Sequence, residues 1–136
     1  MADTVSKEKR SSNMSKIRAK NTVPELAVRS VLHKMGYRFR LHVKDLPGKP
    51  DIVLKRHNKV VFVNGCFWHQ HLNCRRATMP KSNLSYWKPK LQRNVERFED
   101  AKKLLKSKGW NVYIIWECQT KNINSLSEIL RKIMGE

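Results

Sequence analysis

The sequence predicts a mixed α/β domain, one central sheet with helices packed on its faces. Three observations lead there. Stretches of helical period alternate with stretches of period two, in the order α-β-β-β-α-β-α. At 136 residues the chain is long enough for a single packed core. The punctuating residues, Gly36, the run Leu46-Pro47-Gly48-Lys49-Pro50 and Gly109, fall between those stretches rather than inside them.

Residues 1–21 are polar and basic, with Val5, Met14 and Ile17 as the sizeable apolar interruptions. They read as a flexible arm that lies along a phosphate backbone when bound, preceding a single domain over 22–136. Thr22 and Glu25 have capping-box spacing, and Pro24 suits a first helical turn. Val28, Val31, Leu32 and Met35 then recur at helical spacing. From Tyr37 to Val43 apolar residues alternate with Arg38, Arg40 and His42, which predicts a strand with one basic face. A second strand spans Asp51 to Leu54 and a third Lys59 to Val63, joined by a hairpin near residues 57 and 58. Antiparallel pairing then sets Asp51 opposite Val63 or Asn64.

Arg75 to Pro89 reads as irregular, and a helix follows from about Pro89 to Lys106 with Leu91, Val95, Phe98, Leu104 and Leu105 inward. Trp110 to Trp116 is nearly all apolar, as a central strand covered on both faces would be. Ser125 and Glu128 form a second capping box, and Leu126, Ile129, Leu130 and Ile133 give the closing helix its apolar side.

Charge narrows the partners. Lys and Arg number 29 against 11 Asp and Glu, a formal net charge of +18. Nucleic acid is the polyanion that best answers such a field, since each neutralised phosphate releases counterions. An anionic membrane surface or an RNA-rich particle would also answer it. No apolar run reaches membrane-span length, and Met1 to Arg10 lacks the apolar core of a secretory signal. Three cysteines, an odd number, point to a reducing compartment, the cytoplasm.

The stretch from Val61 to Cys74 concentrates the chemistry. Cys66, His71 and Cys74 are spaced so that one loop can wrap a tetrahedral ion, and Cys118 follows another apolar strand that can bring it alongside. Three thiolates and an imidazole suit a structural zinc; three buried thiols and a surface histidine are the plainer account. Asp51, at a strand start in a basic chain, is a candidate Mg2+ ligand, although taken alone it is more simply a turn aspartate. Glu25 is already explained by its cap. His69 sits two residues from His71, so in an extended loop one faces the zinc and the other a cleft near Asp51, where an imidazole can serve as general base. Phe67, Trp68 and Trp87 are rings among positive charges, fit to stack on bases or insert between them, and equally fit to form a small core over the loop.

Taken together, Arg10-Ser11-x-Asn13-Met14, Leu46-Pro47-Gly48-x-Pro50-Asp51, Gly65-Cys66-Phe67-Trp68-His69-x-His71, Asn94-Val95-x-Arg97 and Trp116-Glu117-Cys118 closely resemble the very-short-patch-repair (Vsr) mismatch endonucleases. The resemblance runs over nearly the whole chain. It implies a restriction-endonuclease-like fold and Mg2+-dependent nicking 5′ of the thymine in T:G mismatches left by deamination of 5-methylcytosine. It further implies that Asp51 and the backbone carbonyl of Val63 hold Mg2+, His69 activates water and Glu25 supports the metal's water shell. Cys66, His71, Cys74 and Cys118 would hold zinc. Phe67, Trp68 and Trp87 would enter from the major groove, and Met14 would approach from the minor groove. Such an enzyme works in the bacterial cytoplasm at the nucleoid, as a monomer on double-stranded DNA, with mismatch-repair proteins as candidate partners. The chain departs from the pattern at Asn64, where many relatives carry histidine, at Phe98, and by one extra residue between His71 and Cys74. Two competing readings are a sequence-specific restriction or nicking enzyme without mismatch preference, and a non-catalytic zinc-stabilised DNA-binding module.

Overall fold

The computed structural model describes residues 22–79 and 82–136. The expected arm over 1–21, with Met14, lies outside the described residues. Helix α1 spans Val23–Lys34, capped by Thr22 and carrying Pro24 in its first turn. The short strand β1 (Arg40–Leu41) precedes β2 (Ile52–Leu54) and β3 (Lys59–Asn64). Helix α2 runs over Leu84–Ser107, β4 over Asn111–Trp116 and α3 over Ile123–Ile133. The four strands form one sheet in the order β1-β2-β3-β4, antiparallel except for the parallel pair β3 and β4. The expected order of elements and the mixed α/β class therefore hold.

Alternation along the strands sorts side chains into two cores. On one face Ile52, Leu54, Val61 and Ile115 meet Val28, Val31 and Leu32 of α1 and Leu126 and Leu130 of α3. On the other, Val53, Val60 and Phe62 meet Phe98 and Leu105 of α2, with Val112 and Ile114 packed alongside. The result is three layers, with the sheet between α1 and α3 on one side and α2 on the other. Each fully buried Leu or Ile contributes roughly 1.5–3 kcal/mol.

Several expectations give way to particular residues. The alternating segment 37–43 pairs only at Arg40 and Leu41, because His42 takes a left-handed φ of 48° and turns the chain out of the pleat. Helix α2 begins at Leu84, not near Pro89, so Tyr86 and Trp87 are helical; the proline costs one hydrogen bond near the start rather than ending the element. Leu104 is 52% exposed instead of inward. Strand β4 has apolar cover on both faces, yet among the described strands it lies at the sheet edge, not the centre. The cap of α3 is Asn122, whose Oδ1 accepts from the Ser125 amide, so the helix starts before the expected Ser125 box.

Two turns set the placement of β4 and of Asp51. Asn58, left-handed at φ 57°, closes the β2–β3 hairpin, and its carbonyl accepts the Asn111 amide at 3.0 Å, which anchors the start of β4. Gly48 has a φ of +73°, and a Cβ there would meet Ala101 Cβ at 2.8 Å. Only glycine lets the turn before Asp51 pass this close to α2.

Candidate active site and metal centre

Asp51 stands just before β2. The register Ile52↔Val61 sets it level with Phe62, one residue short of the expected Val63 or Asn64. The side chain closes that gap, because Asp51 Oδ2 accepts the Val63 amide at 2.7 Å. Burial pushes the Asp51 carboxyl up to about 6. The Val63 amide opposes this, the Glu25 charge adds to it, and His42 and Arg29 pull the other way.

Glu25 is 2% exposed. Thr22 Oγ1 accepts its amide at 3.3 Å, so half of the expected capping box forms. Its carboxylate turns inward instead, pairing with Arg29 Nη2 and lying 2.8 Å from His42 Nε2. Glu25, His42 and Asp51 each offer a ligand atom within 4.8 Å of the others, a group that can hold a cation. His42 is the member that sequence reasoning missed. Alternation assigned it to the solvent face, and the left-handed turn that redirects it leaves no periodic signal.

Asp51 and His69 line one cavity of about 580 Å3, with Val63, Asn64, Trp68 and Glu117 also in its walls. The cleft expected from the sequence therefore exists, and it holds both residues. The His69 ring packs against Phe98 with centroids 5.2 Å apart, and its Nδ1 is buried without a partner among the described residues. Burial lowers the His69 pKa, so the imidazole is neutral at pH 7 and able to take a proton.

Beside the cavity the expected ring trio assembles. Phe67 lies 5.2 Å from Trp68 and 5.6 Å from Trp87, and the two indoles are 5.8 Å apart, each contact tilted or edge-on. The early start of α2 adds Tyr86, 55% exposed and 5.0 Å from Trp87. Lys90 Nζ sits 5.5 Å over Trp68, so the ledge is aromatic and cationic at once.

Below it, Cys66, His71, Cys74 and Cys118 bring their ligand atoms within 4.8 Å of one another. Cys118 Sγ is 3.6 Å from His71 Nδ1, close to the ~3.5 Å edge of a tetrahedron with thiolate and imidazole ligands. The His71 ring stacks on Trp116 at 4.1 Å, nearly parallel, which fixes its orientation. Burial pushes the Cys66 thiol up to about 12, whereas the amides of Arg76 and Ala77 help lower the Cys74 pKa. Crowded thiols of this kind ionise together only around a cation. The donor set thus fits a four-coordinate metal ion.

A sequence model of the family described as DNA mismatch endonuclease Vsr matches residues 2–76. The chain belongs to the Vsr family. Relatives in this family include the Type II nicking enzyme V.XorIIP of Xanthomonas oryzae pv. oryzae, 48% identical over 98% of both chains. The Type II nicking enzyme V.NmeAIP of Neisseria meningitidis is 40% identical, over all of this chain and 96% of the relative. The DNA mismatch endonuclease Vsr of Escherichia coli is 37% identical over 94% of this chain and 81% of its own length. Among the described residues, no helix is long and apolar enough to cross a membrane.

Proposed function

We propose that this Vsr-family chain is a DNA endonuclease that nicks one strand 5′ of the thymine in T:G mismatches, the repair of deaminated 5-methylcytosine. The observation that carries it is the convergence of Asp51, His69 and Trp68 at one cavity, with Phe67 and Trp87 packed against Trp68. In this reading residues 22–136 are a restriction-endonuclease-like domain acting as a monomer. The arm, residues 1–21, follows the backbone and brings Met14 to the minor groove.

Asp51 and the Val63 carbonyl would hold Mg2+, with Glu25 behind them ordering its water shell. When bound, the ion would stabilise charge on the phosphate and acidify water. His69, neutral and desolvated, accepts a proton from the attacking water as the new P–O bond forms. The bond from phosphorus to the preceding 3′ oxygen breaks, and that oxygen takes a proton from solvent to leave as a 3′ hydroxyl. Phe67, Trp68 and Trp87 unstack the mismatched step, which is less costly to open than a paired one. Cys66, His71, Cys74 and Cys118 hold zinc, which suits a closed shell of soft thiolates and imidazole.

A nicking assay on matched and T:G duplexes with Mg2+ tests the proposal. Preferential cutting of the T:G strand is expected. Several relatives bear the name of Type II nicking enzymes, which favours a second reading, sequence-specific nicking; equal cutting of matched sites would select it.

A further inference from the structure

Three side chains in the wall of the active-site cavity have hydrogens to donate and no acceptor among the described residues. Asn64 ends β3, is 4% exposed, and its Nδ2 is buried and unpartnered. Lys49 comes from the turn before Asp51, and Lys121 from the residue before the α3 cap; both line the same cavity. Neither ammonium has an ion pair among the described residues.

The carboxylates in that wall are already engaged. Asp51 accepts the Val63 amide, and Glu117 accepts the Cys66 amide at 3.4 Å and faces Arg76 at 4.0 Å. A buried amide left unpaired costs free energy that most proteins avoid. Two free cations beside it make the unmet demand specific: a negatively charged ligand with several acceptor oxygens. A backbone phosphodiester meets that description.

We propose that Lys49, Lys121 and Asn64 form a cradle for one backbone phosphate of the bound strand, seating it beside Asp51 and His69. This deepens the endonuclease reading and rests on it. Asn64 is then a donor kept unsatisfied in the free protein so that a phosphate oxygen can complete it. The two lysines supply the charge and neutralise that phosphate on binding.

The test uses Lys49→Gln, Lys121→Gln and Asn64→Leu, with Lys132→Gln as control. Lys132 is exposed and lies roughly 16 Å from Lys121 along α3. Three measurements are made on the full chain: melting temperature without DNA, binding to duplex DNA over a salt series with Ca2+ in place of Mg2+, and nicking kcat and KM with Mg2+. Asn64→Leu is expected to melt at the same temperature or higher, because it removes an orphan donor, while kcat falls about 100-fold, as when one oxyanion donor is lost. Each cavity lysine variant should lower the slope of log K against log salt by about 0.9 and raise KM, with Lys132→Gln unchanged. A lower melting temperature for Asn64→Leu would make its role structural and overturn the cradle, as would unchanged salt slopes for both lysine variants. If the wild type binds DNA but never nicks it, the endonuclease reading fails while melting and salt slopes still decide the cradle. If it nicks and all three variants nick equally well, the cradle fails and the endonuclease reading stands.

Discussion

Replacing Asp51 with Asn should stabilise the Mg2+-free protein while sharply lowering its activity. The Asp51 carboxyl titrates at about 6 in the fold against an ordinary 3.8, a span of about 2.2 pH units. At ~1.36 kcal/mol per pH unit, ionising it in place opposes folding by at most about 3 kcal/mol. Between pH 3.8 and 6 the folded state binds more protons than the unfolded one, so this contribution to stability is present at low pH and lost as pH rises through 6. The substituted amide would carry no charge, and its carbonyl oxygen can still accept the Val63 amide that now bonds Oδ2. Thermal unfolding of both proteins without added Mg2+, from pH 3.5 to 8, reads the difference directly. The two should coincide near pH 3.5 and separate to roughly 5–10 °C above pH 6, with the variant higher. Millimolar Mg2+ should then narrow the gap by stabilising the wild type alone. Nicking by the variant should fall by about three orders of magnitude, the several kcal/mol that a metal contributes to phosphate chemistry. A variant that melts lower than wild type above pH 6, or a gap that ignores pH, would refute the reasoning.

Other outcomes rest on the same geometry. With His69 as base and its pKa lowered by burial, the acidic limb of kcat against pH should fall below the ordinary histidine value of 6.5; His69→Gln should flatten that limb and slow nicking about 100-fold or more. Metal analysis of purified protein should find about one zinc per chain, and chelation or Cys118→Ala should unfold the loop over 66–74, seen as loss of amide-exchange protection there. Trp68→Ala should reduce the ratio of T:G to matched nicking at least 10-fold while shifting melting by only a few degrees, because the ring is half-buried. Gly48→Ala should destabilise by about 1–3 kcal/mol in chemical denaturation, since a left-handed φ and a 2.8 Å contact must both be relieved.

Local chemistry was the legible part. Cys66, His71 and Cys74 share one loop, and their convergence needed only that the loop close on itself; Cys118 joined them because it follows β4 as Cys66 follows β3. Asp51 could be placed beside the end of β3 because a short hairpin leaves little freedom of register, and the remaining error was one residue. What stayed hidden depends on single dihedrals and non-local contacts. A positive φ at His42 sends that ring to Glu25, and periodicity is blind to such a turn. Pro89 looked like a boundary, yet a proline in the second turn of α2 removes one hydrogen bond that the rest of a 24-residue helix outweighs. The edge position of β4 is a matter of sheet order, and an apolar run reads alike at the edge and the centre when helices cover both faces. The unpaired donors of Asn64, Lys49 and Lys121 come from three separate segments that only the folded cavity brings together.

The parallel ladder pairs Asn64 with Trp116, an offset of 52 residues, and Cys66 and Cys118 repeat that offset two positions further on. Sulfur thus continues a zipper where backbone pairing stops. Parallel pairing across so long a crossover is among the slow events of folding, since loop-closure entropy is lost before contacts repay it. In the proposed zinc reading, the ion's full coordination shell cannot close before that pair is reached. Zinc uptake by a refolding chain would therefore serve as a clock for its last steps, and a cell short of the metal would accumulate sheets already zipped but without their clasp.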